Sequence, residues 1–198
     1  VADKGITRIN IIGSRDSRMI LADMMKPIAN QLYQEIFTSI NVVIKEGIEE
    51  VKVSKEEFIA GYDYKLGIDV ILTFWTEQEA SLQEKFLQTQ FNTITVENYN
   101  DQRTHENPGD WFHMKSTYYF VGYWLQPARG FERWILLDWP AIQRATAQGL
   151  IRWQDRKNQD GHAQSDFRWV EVNQIPDNCI LAKGGNPKGF NWYSQGAI

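Results

Sequence analysis

Apolar residues recur every three or four positions along ILADMMKPIANQLYQEIFTSINVVIKEG, at Leu21, Met25, Ile28, Leu32, Ile36, Ile40 and Val43. That spacing places them on one stripe of a helix that closes near Gly47. Pro27 lies inside the stripe, so the helix either kinks there or begins there with Pro27 in its first turn. From Gly67 the period changes to two. Ile68, Val70, Leu72 and Phe74 fall on one face of a strand, and Asp69, Ile71 and Thr73 on the other. TEQEA reads as a turn, SLQEKFLQTQ as the returning strand and NTITVEN as a third, so the three are expected to form a meander.

Beyond the loop NYNDQRTHENPG, Asp110 is placed to cap a short helix that leads into an aromatic strand near Tyr119 to Leu125. GFERWILLD is a further strand. Asp138 and Pro140 start a helix over WPAIQRATAQ, and Gly149 stops it. The remaining residues, 149–198, read as a β-rich extension with two short aromatic strands and a Gly-rich tail. No repeat, low-complexity block or linker divides the chain, so 1–198 is expected to be a single domain.

Composition narrows the chemistry. The chain has 198 residues, of which 42% are hydrophobic and 23% charged, enough apolar material for a sizeable core. A single cysteine, Cys179, closes no internal disulfide and builds no thiolate zinc site. The N-terminus carries charges every few residues and no stretch reaches eighteen apolar residues, which argues for a soluble, cytoplasmic protein without a membrane partner. The net charge of −4 is unevenly spread. Residues 1–125 carry 12 Lys+Arg and 18 Asp+Glu, whereas 126–198 carry 9 and 7. Carboxylate chemistry is expected in the first part, and a polyanion could face the second.

Two adjacent strands can present an acid, an oxygen ligand opposite it and a lysine two residues further along the same face. Such a set can bind a divalent cation and hold a water for phosphodiester hydrolysis. Asp69, Gln83 and Lys85 supply the pieces. Gln83 and Lys85 point one way, and Glu84 the other with Leu82 and Phe86. A hairpin centred on Thr76 sets Asp69 opposite Gln83, about 4.5 to 5.5 Å apart at Cβ. A slip of one residue would aim Glu84 at Asp69 instead. The competing reading makes Asp69 a polar residue on a half-exposed strand and Lys85 a solvated edge lysine.

GID, followed fourteen residues after its Asp by Gln-x-Lys, resembles the PD-(D/E)XK nuclease superfamily. Its Gln-for-Glu form is similar to the Mrr-type and Holliday-junction-resolvase-like branches. The resemblance covers about residues 19–148 and implies an α/β, restriction-endonuclease-like αβββαβ core, a mixed central sheet flanked by helices. It implies that Asp69 and Gln83 bind Mg²⁺, with Mn²⁺ as a substitute, together with the backbone carbonyl of Glu84. Lys85 then positions the water or stabilises charge on the phosphate, and Glu35 or Asp63 adds an upstream acid. The activity implied is that of a DNA endonuclease, working as a homodimer because duplex DNA has two strands to cut.

Arg152, Arg156, Lys157, Arg168, Lys183 and Lys188 are interleaved with Trp153, Trp169, Phe190 and Trp192, and are read as DNA contacts or as a solvated rim. Most of the eight tryptophans are expected in packing roles. His105, His113 and His162 are too scattered for a metal motif. No GxGxxG, Walker loop or GxSxG is present, and IIGSRDSR lacks the Lys and second Gly of a phosphate loop, so no nucleotide cofactor is expected. The alternative class is a non-catalytic, Trp-rich module or degenerate nuclease fold that binds DNA, glycan or protein.

Overall fold

The apolar stripe of the first segment forms helix α1 (Arg15–Ser39), with Met25, Ala29, Tyr33, Ile36 and Phe37 buried along it. This is a computed structural model, and it describes residues 15–39, 44–50, 68–74, 79–89, 91–99, 105, 107–125, 130–157 and 165–185. Asp63, Gly67, Thr76, Trp75, His162, Lys188, Phe190 and Trp192 lie outside the described residues. Helix α1 does not start at Pro27 but runs through it. Pro27 is on the exposed face, so the carbonyl that loses its N–H partner is turned toward water.

The helix also ends earlier than its spacing suggests. It stops at Ser39, whose Oγ donates to the Ile36 carbonyl at 2.6 Å. Strand β1 (Ile44–Glu50) follows, so Gly47 lies inside a strand. There the ladder to β2 (Val70–Phe74) determines the conformation: Ile48 pairs with Leu72, Glu49 with Ile71 and Glu50 with Val70. Strand β3 (Glu79–Leu87) returns antiparallel to β2, with Val70 opposite Leu82 and Thr73 opposite Glu79. The meander is therefore β1–β2–β3.

The expected third strand is present as β4 (Thr93–Tyr99), but it leaves this sheet. It pairs antiparallel with β8 (Asp166–Glu171), which also pairs with β7 (Gln154–Lys157), giving a separate sheet in the order β4–β8–β7. Buried Tyr119 and Tyr123 fix β4 in place by donating their hydroxyls to the Thr95 and Thr93 carbonyls, each at 2.7 Å. These carbonyls find side-chain donors instead of a further strand.

The central sheet continues beyond β3 with β5 (Tyr118–Tyr123), β6 (Arg133–Asp138) and β9 (Ile180–Gly185), in the order β1–β2–β3–β5–β6–β9. Strand β5 runs parallel to β3, with Gln83 beside Tyr119 and Lys85 beside Val121; the other pairs are antiparallel. The protein is thus α/β with a mixed sheet. Between β4 and β5 lies the one-turn helix α2 (Asp110–His113), in which Asp110 is the first helical residue and Gly109 the cap. Helix α3 (Trp139–Ala147) follows β6 as its sequence requires. Asp138 accepts from the Ala141 N–H at 2.8 Å, Pro140 sits in the first turn, and Gly149 closes the end at φ 73°.

Period-two alternation divides the sheet between two cores. Val70, Leu72, Phe74, Leu82, Phe120 and Leu136 meet α1 on one face. On the other, Tyr119, Val121, Tyr123, Ile135 and Leu137 meet Ile94 and Val96 of β4, Val170 of β8 and Trp139 and Ile142 of α3. Trp124 and Trp139 are buried, and Trp111, Trp134 and Trp153 pack against the cores, so these tryptophans serve the fold. Among the described residues, no helix is long and apolar enough to cross a membrane.

Candidate functional site

The site forms where β2 begins beside the middle of β3. The β2–β3 ladder runs from Thr73–Glu79 to Val70–Leu82, the register of a hairpin centred on Thr76, and Asp69 lies just beyond its end. The Asp69 N–H donates to the Leu82 carbonyl at 2.9 Å, and the Asp69 carboxylate accepts from the Glu84 N–H at 2.7 Å. Within a strand a residue's N–H and C=O project to the same side, so the Glu84 carbonyl is turned toward the β2 edge as its N–H is. The Glu84 side chain points the opposite way, to α1, and takes the Tyr33 hydroxyl at 2.6 Å.

Gln83 is 7% exposed, and its Oε1 accepts no hydrogen bond from the described residues. Leaving such an acceptor buried and unpaired costs about 1 to 3 kcal/mol. Lys85, two residues on and on the same face, is 27% exposed and places Nζ 3.1 Å from Glu97 Oε1. The Glu97 carboxylate is the main influence on this lysine; Asp110 and Asp69 act in the same sense, and together they outweigh burial and hold the ammonium above its ordinary value. Lys85 is therefore a hydrogen-bond donor and a positive charge throughout the neutral range, not a proton acceptor.

Glu97 was not singled out in the sequence, and Asp110 only as the cap of a short helix. Glu97 comes from β4 in the second sheet, and Asp110 opens α2. Gly109 lets the two segments touch. Its N–H donates to the Asn98 carbonyl at 2.9 Å, and a Cβ there would lie 2.6 Å from the Glu97 carbonyl oxygen. The same carboxylates bear on Tyr119, whose phenol is held well above its ordinary value by burial first and then by Asp110, Tyr123, Glu97 and Asp69. The only sequence signal for Glu97 was an acid within an otherwise apolar-alternating strand.

Other expected residues are placed elsewhere. Glu35 is exposed, bonded to Gln31 at 3.0 Å, and lines an open groove of about 280 Å³ with Leu32, Phe131 and Trp134. Tyr33, on another side of α1, is the helix residue that reaches Glu84. Glu35 is thus not brought to Asp69, because burying the Tyr33 side turns Glu35 away. Arg168 pairs with Asp155 at 2.8 Å and lies 4.6 Å over the Trp111 ring, which ties it into the second sheet. Arg152, Arg156, Lys157 and Lys183 are exposed, Arg156 and Lys157 on β7. His113 sits 3.6 Å from Asp110, and His105 stacks on Tyr99 at 4.4 Å while meeting Asp166 at 3.3 Å.

Among the described residues, no group of three or more His, Cys, Asp or Glu side chains is disposed to hold a metal ion. The oxygen set at the β2–β3 junction is of another kind: the Asp69 carboxylate, the orphaned Gln83 Oε1 and the Glu84 carbonyl. Such a set fits a hard divalent cation that keeps several waters. No protein-family model, curated protein or solved structure matches the chain.

Proposed function

We propose that the chain is a metal-dependent DNA endonuclease with a restriction-endonuclease-like core. The observation that carries this reading is the junction of Asp69, Gln83 and Lys85. A carboxylate is fixed by a main-chain N–H, a buried amide oxygen lacks a donor, and a protonated lysine lies two residues along the same face. The element order supports it: a helix, an antiparallel β1–β2–β3 meander, then a strand parallel to β3. Asp69, Gln83 and the Glu84 carbonyl would hold Mg²⁺ or Mn²⁺, which when bound supplies Lewis acidity and lowers the pKa of a bound water.

The chain's own residues supply the rest. Asp69 is held in orientation by the Glu84 N–H, which keeps its carboxylate from rotating toward solvent. Lys85 donates hydrogen bonds to the scissile phosphate or the attacking water, and its charge opposes the negative charge that develops at phosphorus. Arg152, Arg156, Lys157 and Lys183 serve as phosphate contacts. Two copies acting as a homodimer cut both strands.

Purified protein should nick or linearise plasmid DNA when Mg²⁺ or Mn²⁺ is added, and Asp69→Ala and Lys85→Ala should lose at least a hundredfold in rate. Undiminished cleavage by either variant sinks the assignment. A wild-type protein that cleaves nothing, shows no thermal shift with Mn²⁺ and binds a glycan or protein instead would be the non-catalytic module.

A further inference from the structure

Trp169 does not share the packing role of the other described tryptophans. It lies on β8, the middle strand of the β4–β8–β7 sheet, where alternation decides which way each side chain points. Ile94, Val96 and Val170 turn one face of that sheet into the core. Thr95, opposite Trp169, and Glu97, opposite Phe167, therefore stand on the other face. So do Gln154 and Arg156 of β7, which pair with Trp169 and Phe167 from the far side. The outward face thus carries two rows, Thr95–Trp169–Gln154 and Glu97–Phe167–Arg156. Phe167 and Trp169 are half-buried, yet neither belongs to the apolar residues packed on the two cores. Among the described residues neither ring meets another ring, and the Trp169 indole N–H makes no hydrogen bond. Arg156 is exposed and has no hydrogen bond or ion pair among them.

Two flat rings on one strand face with an unpaired guanidinium beside them suit bases stacked on the rings and a phosphate on the arginine. A neutral sugar would also stack on Trp169, but it gives the guanidinium no anion to meet. The spacing selects unpaired bases. Phe167 and Trp169 are two residues apart, about 6.8 Å along β8, twice the roughly 3.4 Å between stacked bases of a duplex strand. Inside a duplex the base faces are in any case covered by their neighbours. This face is continuous with the candidate site, because Glu97, in the same row as Phe167, meets Lys85 at 3.1 Å. We propose, resting on the nuclease reading, that the outward face of the β4–β8–β7 sheet holds unpaired bases of the DNA on Phe167 and Trp169, with Arg156 on a phosphate. The substrate is then DNA with a single-stranded stretch beside the scissile phosphate, such as an overhang or a flap. Supercoiled plasmid supplies such bases where it unwinds.

Fluorescence anisotropy of the full chain without metal tests this apart from cleavage. Labelled oligothymidylate of about twenty nucleotides should bind more tightly than a blunt duplex of the same length at the same salt. Trp169→Ala and Phe167→Ala should each weaken oligothymidylate binding by about tenfold and change duplex binding little. Arg156→Gln should lower the slope of log affinity against log salt by about 0.7, the value of one phosphate contact on a single strand. Met24→Ala, an exposed change on α1, should alter neither. Duplex binding as tight as that of the single strand, or wild-type affinity in both alanine variants, overturns the proposal. So does a wild type that ignores oligothymidylate and binds an oligosaccharide instead. Should the alanine variants fail to fold by circular dichroism, Trp169→Phe decides. It should keep most of the affinity but lose most of the quenching of tryptophan emission that oligothymidylate causes in the wild type, and unchanged quenching overturns the proposal. If the single strand binds as expected but no DNA is cut with Mg²⁺ or Mn²⁺, the nuclease reading fails and the stacking face stands as a binding surface. If DNA is cut while the alanine variants bind oligothymidylate normally, only the stacking face fails.

Discussion

Tyr33 of α1 donates its hydroxyl to the Glu84 carboxylate of β3 at 2.6 Å, so the helix is bonded to the strand whose opposite face carries Gln83 and Lys85. The same glutamate gives its N–H to Asp69. Tyr33→Phe should destabilise the protein by about 1.5 to 3 kcal/mol in urea unfolding, the range for a hydrogen bond to a charged acceptor. With Glu84→Gln in the same chain, the loss should fall short of the sum of the two single losses.

Tyr33, Tyr119 and Tyr123 are buried, and each phenol is raised above its ordinary value, chiefly by burial. A raised folded-state pKa contributes stability that is complete below the unfolded value, near 10, and is lost as pH rises toward the folded value. Urea midpoints should therefore fall steeply above about pH 10. Tyr119→Phe should make that fall shallower by removing one of the three linked protons, whatever it does to stability at neutral pH.

Gly109→Ala would place a methyl group against the Glu97 carbonyl, which is held in β4 and cannot turn aside as a side chain would. An overpacking cost of about 1 to 3 kcal/mol is expected in thermal or urea unfolding.

Asp69→Asn removes a negative charge from the place assigned to the scissile phosphate. Without metal, the variant should bind duplex DNA as tightly as the wild type or more so, by fluorescence anisotropy at low salt. Weaker metal-free binding would place Asp69 away from the phosphate.

The most legible features were those set by neighbours in sequence. The α3 helix was written in Asp138, Pro140 and Gly149, whereas the β2–β3 register, left between two settings by the sequence, is the one centred on Thr76 over Val70–Thr73 and Glu79–Leu82. The end of α1 was misread because Ile40 and Val43 continue the helical spacing up to Gly47, in a segment that pairing with β2 makes a strand from Ile44. The partner of β4 was not legible: Ile94 pairs with Val170, far along the chain, and nothing local in NTITVEN names that partner. The candidate site divided in the same way. Asp69, Gln83 and Lys85 lie on one hairpin and were found together, whereas Glu97 and Asp110 reach Lys85 only through tertiary packing. Glu35 had the right helix but the wrong side of it.

The parallel pairing of β3 with β5 has a consequence for how the chain folds. In the described sheet it is the only ladder joining β1–β2–β3 to β5–β6–β9, and residues 88–117 separate the partners. Each half contains antiparallel neighbours, but the seam between them forms only after a long loop closes, with its entropy spent before any of the seam's contacts exist. With the β6–β9 ladder, the seam at Gln83–Tyr119 and Lys85–Val121 is one of the late closures, so the residues proposed for chemistry lie on the ladder that joins β1–β2–β3 to β5–β6–β9.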